Sequence, residues 1–231
     1  MHPKIISPLT AFLTPIVLLG FALRLLLSPF FLQVEYHMPG FPDDPYGLTR
    51  EDRLRWAPFA VDYLVNREGI SYLGDLRFDD GTPLYNEREL SHMADVKGVT
   101  QGALNVFYFA LAGLALLGLW SKRGEQWSAF RSGLKRGGSI MVGLAGVLAV
   151  VVVVGMFIIP DLFWKFFEGF HAIFFEGDSW LFLYSDTLIR LFPIRFWQDA
   201  FLLAALIAVA GGLGLAFGIK TQNATGKPRQ G

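Results

Sequence analysis

Long apolar runs alternate with polar connections along the chain, and each run is longer than a buried helix of a small soluble domain requires. A membrane-crossing helix needs about 20 mostly apolar residues. Four stretches meet that length: Ile5–Leu32, Val99–Trp120, Ser139–Ile159 and Ala200–Ile219. The first outruns the ~7–15 residues of a signal-peptide core, and no small-x-small cleavage site follows it. It reads as a retained anchor. The pattern predicts an all-α membrane protein, a single membrane domain over residues 1–231 with four transmembrane helices.

The connections differ in kind. Gln33–Gly98 is long enough for a small cap and too short for a large independent core. It opens with a Pro- and Gly-rich loop over Tyr36–Gly47. Thr49 with Asp52 marks a helix start, and Gly69 is a stop signal. Between them Trp56, Phe59, Ala60, Tyr63 and Leu64 form one apolar stripe at helical spacing. This short helix is expected on the membrane surface or packed under the cap. Asp80-Gly81, between Leu76–Phe78 and Leu84–Tyr85, predicts a short hairpin. Asn86 with Glu89 is a second helix start, of capping-box type. A helix over Glu87–Trp120 would be ~50 Å long against a hydrocarbon thickness of ~30 Å. Its first turns, Glu87 to Gly98, therefore stand at or above the interface. The connection 160–199 holds thirteen of the chain's 35 aromatics, all between Phe163 and Trp197. Rings at that density suit headgroup level, so Phe163–Phe182 is expected to dip in and out of the interface.

Composition narrows the chemistry. Apolar residues make up 53% and charged residues 17%, with a mean hydropathy of +0.42; soluble domains carry about 25% charge. The absence of cysteine removes disulfides, iron–sulfur clusters, thiol nucleophiles and Cys-bound zinc. Twenty basic residues balance twenty acids, which leaves no global field to attract nucleic acid. Where the charges fall matters more. Residues 121–138 carry Lys122, Arg123, Arg131, Lys135 and Arg136 against Glu125, the tail carries Lys220, Lys227 and Arg229, and Lys4 lies near the N-terminus. Gln33–Gly98 holds thirteen acids against seven bases. The positive-inside rule then puts both termini and the 121–138 loop in the cytoplasm, with cap 33–98 and aromatic segment 160–199 outside.

Of four histidines, His2 lies in the inner tail and His37 in the Pro/Gly loop. His92, on the overhanging turns, and His171, in the aromatic belt, should meet the outer leaflet at similar depth. Histidine is the usual proton shuttle near neutral pH. Glu89, His92 and Asp95 follow one another at i, i+3 and i+6 and are expected to share a face, a carboxylate fixing the tautomer of the ring. Asp178, Trp180 and Asp186 follow His171 closely. Arg24 interrupts the first span in its outer third, where a charge is expensive. Lys97 points to another face and is read as a headgroup anchor. Ser91 and Ser179 adjoin these residues as weak nucleophile candidates. There is no HExxH, GxSxG or P-loop motif, and no compact spacing for a metal.

The run Asn86-Glu87-Arg88-Glu89-Leu90-Ser91-His92-Met93-Ala94-Asp95-Val96-Lys97 resembles the signature of a membrane family that includes the lipoprotein intramolecular transacylase of Gram-positive bacteria. So do Phe170-His171, Phe174-Phe175, Trp180, Asp186-Thr187-Leu188-Ile189, Leu191-Phe192-Pro193 and Phe196-Trp197. The four-span layout is similar from end to end. The resemblance implies a bacterial plasma-membrane acyltransferase with no cofactor and no bound metal. Its partners would be membrane lipids and a diacylated lipoprotein, whose N-terminal cysteine bears S-diacylglyceryl and a free α-amino group. The sn-2 acyl chain would pass to that amine, giving a lyso-lipoprotein. His92 and His171 match the motif histidines. The expectation is His92 as base, oriented by a carboxylate such as Asp95, and His171 as polariser or general acid, with the reverse order open. Arg24, Lys97 or a backbone N–H would serve the oxyanion. Two other readings predict different behaviour. In a membrane chaperone or assembly subunit the histidines would hold cap to belt. A metal-dependent lipid hydrolase would lose activity with chelator.

Overall fold

A computed structural model of the protein describes residues 3–219, apart from residues 125, 176, 178 and 179. His2, Glu125, Asp178, Ser179 and the tail cations Lys220, Lys227 and Arg229 lie outside the described residues. Among the described residues the regular structure is helical and there is no strand. In chain order the helices are α1 (Pro3–Leu26), α2 (Pro29–Tyr36), α3 (Arg50–Val65), α4 (Ser71–Gly74) and α5 (Glu87–Arg123). They continue with α6 (Trp127–Phe157), α7 (Pro160–Phe174), α8 (Thr187–Leu191) and α9 (Ile194–Gly218). Helices α1, α5, α6 and α9 are long and apolar enough to cross a membrane.

The apolar run Ile5–Leu32, expected as one span, is divided between α1 and α2. Ser28 stands before Pro29, and a residue in that position is pushed out of the helical region. It is extended, at φ −144° and ψ 146°. Its hydroxyl accepts from the Phe31 amide at 3.3 Å and donates to Leu25 O at 2.6 Å, capping one helix and closing the other. At the other extreme α5 runs unbroken for 37 residues, ~55 Å at 1.5 Å per residue.

The register of the bundle follows from small residues. Gly133 and Gly137 of α6 face Thr10 and Thr14 of α1 in the same order, so those helices run parallel. Gly138 of α6 meets Gly212 of α9 from the opposite direction: a Cβ on either would lie 2.7 Å from the other's carbonyl oxygen. At the far end of α6, a Cβ on Gly155 would lie 2.7 Å from Phe163 Cβ, so a glycine there is what lets α7 fold back against α6.

The cap packs on the bundle through one apolar core. Trp56, Ala60 and Tyr63 of α3 join Leu73, Leu84 and Tyr85, and behind them Leu188, Leu191 and Phe196 from the chain entering α9. Helix α3 is therefore packed against protein. Its Arg53 is buried and donates to Arg190 O at 2.9 Å and Pro42 O at 2.7 Å. The capping box of Thr49 and Asp52 forms as expected. The helix stops at Val65, earlier than Gly69, because Asn66 turns the chain locally: its side chain accepts from the Glu68 amide at 3.0 Å. The expected hairpin is reduced to a turn with a single pairing, Arg77 with Pro83. A proline has no N–H to extend a ladder.

Candidate active site

Three elements build the site: the first turns of α5, the last turn of α7, and the chain from Trp180 to α8. Asn86 caps α5 by accepting from the Glu89 amide at 3.0 Å, and Glu89 Oε2 accepts from the Asn86 amide at 2.8 Å. Glu89 Oε1 reaches outward and accepts from the Leu188 amide at 2.7 Å. Asp186 completes the junction. Its carboxylate accepts from Arg88 Nη2 at 2.7 Å, Asn86 Nδ2 at 3.1 Å and the Leu183 amide at 2.9 Å. The start of α8 is thus tied to the start of α5, and Phe182 is carried against His92.

His92 and His171 face each other with ring centroids 6.3 Å apart and planes 20° from parallel. Both are nearly closed to solvent, 8% and 9% exposed. Phe175 and Phe182 lie 5.0 and 5.2 Å from His92. Phe167 and Trp180 lie 4.1 and 4.8 Å from His171. The two imidazoles thus sit in a buried cluster of aromatic rings.

The rings are held differently. His171 Nδ1 lies 2.8 Å from Phe167 O, one turn back on α7. A carbonyl only accepts, so Nδ1 carries the hydrogen and Nε2 offers its lone pair. Burial pushes the His171 pKa below the ordinary histidine value, partly offset by that carbonyl, so the ring is neutral and able to accept a proton at neutral pH. His92 Nδ1 is buried and has no hydrogen-bond partner among the described residues.

The other candidates do not converge here. Asp95 is exposed and does not orient His92. Each i+3 step falls about 60° short of a full turn, so two steps carry Asp95 about 120° round from Glu89. Glu89 is 1% exposed and serves backbone amides. Lys97 donates to Asn66 Oδ1 at 3.0 Å and Glu68 O at 2.6 Å and lies over the Tyr63 ring at 3.9 Å, which ties α5 to the cap. Arg24 is exposed and donates to Leu27 O at 3.0 Å, closing the end of its own helix. Ser91 is exposed on α5. Trp180 stands against His171, and Asp186 acts through Arg88, Asn86 and the Leu183 amide. Among the described residues no group of three His, Asp or Glu side chains gathers as a metal site. Sequence reasoning missed the Phe167 carbonyl, although the i−4 spacing to His171 could have found it. It also missed the Leu188 amide, for which no local signal exists.

The profile of the family described as lipoprotein intramolecular transacylase Lit matches residues 8–197. A protein of Aquifex aeolicus (strain VF5), described as uncharacterized, is 29% identical over 220 residues, 93% of each chain. The solved structure of the membrane integral lipoprotein intramolecular transacylase Lit from Bacillus cereus is similar at a TM-score of 0.75 and 17% identity, over 92% of each chain. A histidine-to-arginine variant of that protein is similar at a TM-score of 0.69 and 17% identity, covering 92% of this chain and 88% of the other. At such identity the solved structures attest the fold alone.

Proposed function

The chain belongs to the lipoprotein intramolecular transacylase family, a family of acyltransferases, and from that premise we propose that it moves the sn-2 acyl chain of a diacylated bacterial lipoprotein onto the α-amino group of the lipoprotein's own N-terminal cysteine. The observation that carries this reading is the facing pair His92 and His171 within a cluster of aromatic rings. The basic segments at the other end of the bundle favour both termini in the cytoplasm and the histidine pair at the outer leaflet of a bacterial plasma membrane.

In this reaction a C–O bond of the glycerol ester breaks and a C–N bond forms. The amine loses one proton and the glycerol oxygen gains one. Donor and acceptor reside on one molecule, so proximity is supplied by the substrate and no enzyme nucleophile is needed. His171, held as the Nδ1–H tautomer, takes the amine proton at Nε2. The Phe167 carbonyl steadies the imidazolium, as a carboxylate does in a catalytic triad. That anchoring favours His171 as base and reverses the order expected while Asp95 was taken to orient His92. His92 then donates to the tetrahedral oxyanion. Return of the proton from His171 to the departing glycerol oxygen closes the cycle.

The test is mass spectrometry of a lipoprotein N-terminus from cells with and without this protein. An acyl chain found on nitrogen, with one ester fewer on glycerol, only when the protein is present, is the expected result. Identical N-termini in both strains would overturn the reading.

A further inference from the structure

At the end of the bundle away from the histidines, ~45 Å along α5 from His92, α1 and α6 border an open cleft of about 480 Å³. Lys4 and Ser7 of α1 line one side; Gln126, Ser128, Ser132 and Arg136 line the other. Ser128, Ser132 and Arg136 are spaced by four and share one face of α6. Two cations and three hydroxyls thus converge where neither α1 nor the first turn of α6 supplies an acid.

We propose that this cleft binds the phosphate of an anionic lipid headgroup in the leaflet opposite the active site. Four observations carry the assignment. The chemistry of the lining is that of a phosphate site, with a guanidinium for the charge and hydroxyls as added donors. Arg136 is exposed and is engaged in no ion pair with a described residue. Ser7 Oγ is buried without a hydrogen-bond partner among the described residues, a donor that the helix pair does not itself satisfy. Helix α6 begins without a side-chain cap, which adds the partial positive charge of its first amides.

Lipid, and not a soluble anion, is indicated by the flanks. Ile5, beside Lys4, is 53% exposed, and Trp127, beside Ser128, is 40% exposed. Apolar and indole surface next to cations marks headgroup depth, where basic pockets between membrane helices take anionic lipid.

The experiment uses the full chain, delipidated in detergent and titrated with phosphatidylglycerol or phosphatidylethanolamine under native mass spectrometry. Phosphatidylglycerol is expected to bind in preference. Its affinity should fall roughly five-fold in Arg136→Gln, the worth of one cation at a lipid surface, and fall again when Ser128→Ala and Ser132→Ala are added. Arg131→Gln makes the same charge change on the same helix outside the lining, and it should bind as the parent does. Equal losses in Arg131→Gln and Arg136→Gln would reduce the effect to bulk charge and overturn the site. Displacement of the lipid by millimolar inorganic phosphate would make the occupant a free anion and overturn the lipid assignment.

Discussion

Glu89 and Leu188 stand 99 positions apart in the chain, yet the Glu89 carboxylate accepts the Leu188 amide hydrogen at 2.7 Å. With its other oxygen on the Asn86 amide, that one buried side chain fixes where α5 begins relative to α8, and so where His92 lies relative to Phe182. Glu89→Ala leaves the buried Leu188 amide and the part-buried Asn86 amide without acceptors. It should cost about 2–3 kcal/mol of stability, the usual worth of hydrogen bonds to a charged group, with a fall in turnover through displacement of His92. Glu89→Gln retains one acceptor and should lose less of both. Thermal melts and turnover of the two variants check this. Equal effects, or none, would remove the clamp from the account.

The histidines themselves make a sharper prediction. If both move or stabilise charge at one site, His92→Gln and His171→Gln should each lower turnover by roughly 10²–10⁴. The double variant should lose less than the product of the single losses, because groups acting as a unit are not additive. Protein yield and melting temperature should change little. Folding loss without selective loss of turnover would favour the chaperone reading. Full activity in either single variant would take that ring out of the mechanism.

Much of the fold was legible because a bilayer imposes a long, uniform apolar period on whatever crosses it. The caps at Thr49 and Asn86 were equally plain, since a cap is local chemistry read within four residues. The break at Ser28-Pro29 was missed, because hydropathy continues on both sides of it and the run reads as one span. The histidines could be paired from depth alone, because each sits just outside an apolar run. What joined them could not. The Glu89–Leu188 bond and the placement of Phe175 and Phe182 depend on how segments far apart in sequence pack. Asp95 was misread by treating i+6 as a return to the same face.

A buried acid outside the site gives a pH dependence. Glu35 of α2 is 2% exposed and lies by Asp199 of α9, which is paired with Arg195. Burial and then the Asp199 charge push the Glu35 carboxyl from the ordinary 4.5 up to about 8, with Arg195 opposing. The folded protein therefore keeps a proton that the unfolded chain releases above about pH 4.5. Stability falls with pH wherever the folded state binds more protons. The decline should run from about 4.5 to about 8 and then level off. Glu35→Gln cannot lose that proton. Its melting temperature in detergent should converge with the parent at low pH and exceed it increasingly toward pH 8. Parallel curves across that range would show that Glu35 does not hold the proton.

The last prediction concerns whether acyl transfer stays within one substrate molecule. The chain has no cysteine, and Ser91 is exposed and in no activating motif, so nothing described provides for an acyl-enzyme. His92 and His171 suffice for proton transfer only if ester and amine arrive together. A substrate bearing isotopically heavy acyl chains, mixed with light phospholipid and the purified protein, should give product whose N-acyl chain is heavy in every molecule. Mixing heavy and light lipoproteins should give no crossed product, with label on nitrogen matching label on the remaining ester. Light chain on the amine of a heavy substrate would mean that phospholipid or a second lipoprotein is the donor. The two-histidine mechanism would then need a carrier for the acyl group, and a serine nucleophile would have to be sought by trapping the acyl-enzyme.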